Sequence, residues 1–287
     1  MELTRVWFDL TCINGGVLPV FCGFVVRGWF LDQVRCFDER LAERIHGGVG
    51  FKPYAVVPLF SLESEKHVED GFWVLDRGTK VRFGVSIFEE RLSDVFLEGV
   101  LCGDGRIRFV KSDFQICGVD VERKRFVDFA RECWSREVPP RIVLRFRTPT
   151  QFRIKGRKFP YVFPDAIRVF GNLSSVWNSF APKDLHVDVD DFVDWVSRNV
   201  YVRAYELKSR SVYSKKGVPV VGFLGWVEYR VLDRNHMYAK WLYTLTNFAE
   251  YSNIGWGRTA GFGAVTYHIP EEKETSNKSQ QHTKTKT

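Results

Sequence analysis

Residues 247–265 read NFAEYSNIGWGRTAGFGAV. The stretch leaves an apolar-periodic segment, crosses four glycines (Gly255, Gly257, Gly261 and Gly263) and enters an alternating segment, GAVTYH, at 263–268. A helix before and a strand after the glycines decide how the loop is read. A dinucleotide fold needs GxGxxG directly after a strand, opening a helix, with an acidic residue about 20 positions on. A P-loop needs GxxxxGK followed by Ser or Thr, and no such string occurs. A nucleotide-cofactor enzyme therefore fails on the context of the loop. Two readings remain. The glycines either permit a tight turn, or they uncover backbone N–H groups for a phosphodiester, with Arg258 adding a fork of donors. Trp256 and Phe262 read as core anchors or base-stacking platforms, one of them as core.

Outward from the loop, one order of elements occurs twice. In the second half, RIVLRFRTPTQF (141–152) reads as a strand and FRIKGRKF (152–159) as a short basic hairpin. DAIRVFGNLSSVWNSF (165–180) and VDDFVDWVSRN (189–199) read as helices, VYVRAYELKS (200–209) and VVGFLGWVEYRVL (220–232) as strands, and MYAKWLYTLTNFAEYS (237–252) as a long helix. In the first half, TRVWFDLT (4–11) alternates as a strand, and an apolar-faced helix, or two short ones, starts at Pro19 and runs towards DERLAERIH (38–46). YAVVPLF (54–60) is a strand, and GFWVLDRGTKVRFGVSIF (71–88) a hairpin or strand on an RGTK turn. EERLSDVFLEGVL (89–101) is a helix, RIRFVKSDFQICGVDVE (106–122) a returning strand, and a break follows at 126–140. Each half is β-α-β-β-α-β. The predicted class is α+β: two tandem ferredoxin-like (RRM-like) domains, each an antiparallel sheet with helices on one face. Expected boundaries are 1–128 and 138–270, with a solvated polar tail at 271–287.

Composition narrows the partners. Among 287 residues, 42 Lys and Arg against 35 Asp and Glu give a net charge of +7, which makes a polyanionic partner a reasonable expectation. Hydrophobic content of 45% and aromatic content of 15% exclude a disordered chain. The six cysteines (Cys12, Cys22, Cys36, Cys102, Cys117, Cys133) lack any CxxC pair and read as reduced thiols of a cytoplasmic protein. The apolar run from Val17 to Leu31 is broken by Arg27 and too short to span a bilayer, so no membrane partner is expected. No His/Cys/Asp cluster has metal-ligand spacing. Asp188, Asp190, Asp191 and Asp194 read as the acidic start of a helix.

A one-signed run supports nucleic acid. From Arg141 to Lys158 the chain carries Arg141, Arg145, Arg147, Arg153, Lys155, Arg157 and Lys158 and no acidic residue. Arg145 and Arg147 alternate with Leu144 and Phe146, which gives a strand one basic and one apolar face. Such a face either protects a sheet edge or meets phosphates.

The order of the halves, TPTQFR at 148–153 and GWGRTAGFG at 255–263 together resemble one family. It is the Cas6 family of CRISPR-associated, repeat-processing endoribonucleases, in the repeat-associated RNA-binding superfamily. The resemblance runs from RFRTPTQF (145–152) through WVSRNVYVRAYEL (195–207) and GFLGWVEYRV (222–231) to NFAEYSNIGWGRTAGFGAV (247–265). The first half resembles the family in element order more than in sequence.

The resemblance implies metal-independent cutting of CRISPR transcripts within each repeat, with no cofactor. A 2′-hydroxyl attacks the neighbouring phosphate and leaves a 2′,3′-cyclic phosphate and a 5′-hydroxyl. This chemistry needs a base, an acid and a cation for the phosphorane. By position in the family pattern, His46 is the acid-base candidate and Lys52 the charge stabiliser. The family's tyrosine in the first helix has no match in RGWFLDQ (27–33), where Arg27 is the substitute. Arg145, Arg147, Arg153, Lys155, Arg157, Lys158, Gly255, Gly257, Arg258, Gly261 and Gly263 are the expected RNA contacts. The implied partners are CRISPR repeat RNA, precursor and processed; a homodimer and association with a CRISPR effector complex stay open. The missing tyrosine keeps an alternative alive, a catalytically inactive repeat-RNA-binding protein or a guide-RNA-holding subunit.

Overall fold

The structure, a computed structural model, describes residues 1–63, 67–213 and 217–270; the tail expected at 271–287 lies outside the described residues. The first half comprises β1 (Glu2–Cys12), β2 (Gly16–Pro19), α1 (Gly23–Phe37), α2 (Glu39–Gly47), β3 (Tyr54–Ser61), β4 (Val68–Glu69), β5 (Phe72–Leu75), β6 (Lys80–Ile87), α3 (Glu90–Leu101), β7 (Arg106–Phe109) and β8 (Ser112–Arg125). Helix α4 (Phe126–Trp134) leads to β9 (Arg141–Thr150), α5 (Ala166–Phe180), α6 (Val189–Asn199), β10 (Val200–Tyr213), β11 (Pro219–Val231), α7 (Met237–Ser252) and β12 (Val265–His268).

Two sheets dominate, with strand orders β3-β6-β1-β8-β7 and β10-β11-β9-β12, antiparallel throughout. Leaving aside the edge strand β7, both place the first strand of their unit between its third and fourth. The α+β, tandem ferredoxin-like class follows, with helices on one face of each sheet. Period-two alternation in β1 produces that sidedness. Val6, Phe8 and Leu10 are buried, while Arg5, Trp7 and Asp9 occupy the other face. Phe8 stacks on Phe83 at 4.8 Å and meets Trp29 of α1 and Phe96 of α3 edge-on, which seats both helices on the sheet. Burying each such ring contributes roughly 2–3 kcal/mol. In the second half Trp177 of α5 and Phe248 of α7 do the same, and Phe126 from α4 joins them.

Four local expectations change, and the open choice between one helix and two after Pro19 resolves to two. Pro19 ends a strand, because Gly16–Pro19 pairs with Phe72–Leu75, and the helix starts at Gly23. Asp38 accepts from Leu41 N at 2.9 Å, capping α2 and dividing the helical run in two. Residues 71–88 form no hairpin: β5 pairs with β2 and β4 in a three-stranded sheet, while β6 joins β1 and β3. The strand expected over 106–122 is the β7–β8 hairpin, turned at Val110 with φ 58°. The expected break at 126–140 contains α4, whose Phe126, Phe129, Ala130 and Cys133 face the core. Asp188 does cap α6, accepting from Asp191 N at 3.1 Å. The six cysteines are free thiols. Among the described residues, no helix is long and apolar enough to cross a membrane.

Candidate functional site

The glycine loop between α7 and β12 is first of all an interlock between the halves. All four of its glycines have φ between +70° and +84°, a region that side chains disfavour. At Gly261 a Cβ would lie 2.5 Å from the Pro58 ring of β3 and 3.1 Å from Gly23 Cα of α1. Asn253 donates across the same junction to Val56 O at 2.9 Å. Phe262 is buried and packs on Phe21 and Phe24 at 4.7 and 5.8 Å. Phe262 is thus the core anchor of the loop's two aromatics. Most loop amides are spent internally: Ile254 N on Gly263 O, Trp256 N on Gln151 O, and Gly263 N on Pro149 O. The cradle of uncovered amides expected from the sequence is therefore largely a cradle for the protein's own carbonyls.

Above this interlock lies a cleft of about 740 Å³, walled by both halves. Arg27 and Phe24 of α1 and Gly50, Phe51 and Lys52 enter from the first half. Phe152, Arg153 and Ile154, Arg168, Asn172 and Ser175 of α5, and residues 255–260 enter from the second. Its charged lining residues are Arg27, Lys52, Arg153, Arg168 and Arg258, with no carboxylate among them. Trp256 is half-buried in this wall, and the Arg153 guanidinium lies 4.2 Å from its ring centroid. A second groove of about 590 Å³ shares Arg153, Ile154 and Trp256 and adds Lys155, Arg157 and Lys158, again without a carboxylate.

Three groups at the first-half end of the cleft are tuned by their surroundings. Lys52 Nζ donates to His46 O at 3.2 Å and to Gly48 O. Burial, helped by the nearby Arg27 charge, holds Lys52 below the ordinary lysine pKa. Tyr54 on β3 is fully buried; its hydroxyl is within hydrogen-bonding reach of the Arg27 side chain and of Thr259, and burial pushes its pKa up. The phenol is neutral near pH 7 and faces the Arg27 side chain. Arg258 is only 4% exposed and donates to Ser252 O at 2.9 Å and, at 3.5 Å, to Lys52 O. Burial alone pulls it down to about 10, with no carboxylate offsetting the charge. It remains a cation at neutral pH, so the cleft floor carries a fixed positive charge.

The cleft brings together Arg27, Lys52, Arg153, Gly255, Gly257 and Arg258 from the residues singled out in the sequence. Lys155, Arg157 and Lys158 line the adjoining groove. Their basic hairpin is a loop closed by a single Phe152–Tyr161 bridge. Arg258 corrects the sequence expectation: it is no outward arm for phosphate, because its guanidinium is turned into the interlock. Gly261 and Gly263 are buried against Pro58 and Ile254, which leaves them no free surface for RNA. Arg145 and Arg147 are exposed on β9 and line neither groove. The exposed His46 ends α2, joined to the cleft through its carbonyl and Lys52 rather than as a lining residue. Sequence reasoning missed Tyr54, which reads as an ordinary core strand residue, and Arg168 and Asn172, whose place depends on the loop packing over α5. Among the described residues, no three His, Cys, Asp or Glu side chains gather as a metal site.

Residues 144–265 match the family model of the CRISPR-associated endoribonuclease Cas6. Over that segment the chain is similar to the Cas6 family. A Thermus thermophilus Cas6 product complex shares the fold with a TM-score of 0.73 at 18% identity, over 93% of this chain and 99% of that one. A second Cas6 product complex gives 0.69 at 22% identity, over 93% and 100%. A Cas6-related protein from Pyrococcus furiosus gives 0.61 at 13%, over 94% and 100%. At such identities these Cas6 likenesses speak for the fold. No curated protein matches the chain.

Proposed function

We propose that this chain cuts precursor CRISPR transcripts within their repeats. The observation that carries the reading is the carboxylate-free cleft between the halves, with five cations among its lining residues and aromatic side chains on its walls. A phosphodiester with its flanking bases matches both properties. In the reaction the substrate 2′-oxygen bonds to the adjacent phosphorus, the bond from phosphorus to the 5′-oxygen breaks, and a 2′,3′-cyclic phosphate and a 5′-hydroxyl result. One proton leaves the 2′-hydroxyl and one reaches the 5′-oxygen; His46 serves one of these transfers, as imidazoles do near neutrality. Lys52 and Arg27 stabilise the phosphorane, and Tyr54 positions Arg27. Arg153, Lys155, Arg157 and Lys158 grip the flanking RNA. No metal takes part in this scheme.

A labelled transcript carrying the repeats of the protein's own genome, incubated in EDTA, is expected to yield one cut per repeat with cyclic-phosphate ends. Binding without any cut, with or without divalent metal, would instead favour a guide-RNA-holding protein. The specific observation behind that second reading is that His46 does not itself line the cleft.

A pH dependence follows from Lys52. It stabilises the phosphorane only while protonated, and burial places its pKa below the usual lysine value. Activity is therefore expected to fall as pH rises through that lowered pKa, earlier than an ordinary lysine would allow. In Lys52→Arg the alkaline limb should move to higher pH, since a guanidinium stays charged. Cleavage rates across pH 7–11 on a short oligonucleotide check this; an unmoved limb would remove Lys52 from the charge-stabilising role.

A further inference from the structure

Asn172 on α5 accepts a hydrogen bond from Gly255 N–H at 2.7 Å through Oδ1. The partner is an N–H donor, so the carboxamide can face it only with its oxygen, and the flip is fixed by chemistry. The Nδ2 group consequently carries two donors with no acceptor among the described residues, on a side chain that lines the cleft. Beside it Trp256 offers a half-buried ring backed by Arg153 at 4.2 Å. The exposed charged side chains lining the cleft on the second-half side, Arg153 and Arg168, are donors as well. An exocyclic amine facing the Asn172 Nδ2 group would meet donor against donor; a keto oxygen would be matched.

We infer that the corner between Asn172 and Trp256 holds one unstacked nucleobase and reads its keto oxygen, O4 of uracil or O6 of guanine. The inference rests on the RNA-processing reading and adds to it a residue that determines specificity. Trp256 supplies the stacking face, which tolerates any base. Asn172 supplies the discrimination, because keto and amino groups exchange acceptor for donor at the same position of the ring.

The test uses the full chain and a panel of 2′-fluoro repeat oligonucleotides, which lack the attacking hydroxyl. Each position is changed in turn from uracil to cytosine or guanine to adenine, or the reverse. The wild type is expected to prefer a keto base about tenfold at one position. Asn172→Asp still accepts from Gly255 N–H but offers acceptors to the cleft, so it should reverse the preference at that position and leave the rest of the profile unchanged. The same positional profile in both proteins would overturn the inference. Trp256→Leu is the second variant, expected to weaken binding about tenfold while the keto preference persists; unchanged affinity would overturn the stacking face. A wild type that binds none of the panel would sink the RNA-processing reading itself, an outcome distinct from either variant result. Melting curves establish that each variant is folded.

Discussion

His46→Ala is expected to cut repeat RNA at least about a hundredfold more slowly while binding it almost as tightly, since acid-base catalysis contributes roughly 10²–10⁴-fold. The expectation comes from position. His46 closes α2, and its carbonyl accepts from Lys52 Nζ at 3.2 Å, so helix end and lysine form one unit at the cleft. His46 is exposed, apart from the buried face of α2, which is Leu41, Ala42 and Ile45. Removing an exposed imidazole leaves this packing intact, so affinity and melting temperature should hold. Single-turnover rates and a filter-binding titration on the same transcript separate the two quantities. Undiminished cutting would dismiss His46 as the proton carrier and leave the similarity of residues 144–265 to Cas6 untouched.

Gly263→Ala is expected to be the most damaging single methyl in the protein. At φ +70° its Cβ would lie 1.8 Å from Ile254 O and under 3 Å from two further backbone atoms of Ile254. The left-handed conformation costs alanine roughly 1–2 kcal/mol, and forcing backbone aside in a packed site costs about 1–3 more. For a chain of this size the sum corresponds to a fall of roughly 5–20 °C in melting temperature. Ile254 N also donates to Gly263 O, so the displacement breaks the hydrogen bond that closes the loop on itself. RNA affinity should fall with it, because Asn172 loses its partner once Gly255 moves. A melting temperature within about 2 °C of wild type would show the loop is softer than its geometry implies.

The fold was legible for a physical reason: alternation in segments such as TRVWFDLT and the passage from helix through glycines to strand are local properties. Helix α4 was equally written, with Phe126, Phe129, Ala130 and Cys133 at helical spacing, but the following REVPP drew the segment into a break. The candidate site was legible only in part. Lys52 follows a family pattern and Arg27 stands in where that pattern's tyrosine is missing, and both line one cleft. Tyr54 stayed hidden, since a tyrosine in an alternating strand looks like core until α1 lays Arg27 against its hydroxyl. Arg258 misleads for the opposite reason. An arginine among glycines looks exposed, and only the meeting of two halves shows its guanidinium turned inward.

The loop that follows β9 stands apart from all this. A single bridge between Phe152 and Tyr161 closes it, and every residue from Lys155 to Pro160 is exposed. Its sequence answers to no core, whereas the glycines beside it answer to a carbonyl, a proline ring or a helix start. The molecule thus separates an exchangeable cassette from a fixed chassis: on the proposed reading, loops of other length or charge grafted over Lys155–Pro160 should redirect which RNA is gripped, with Arg153 and the cleft beneath left as they are.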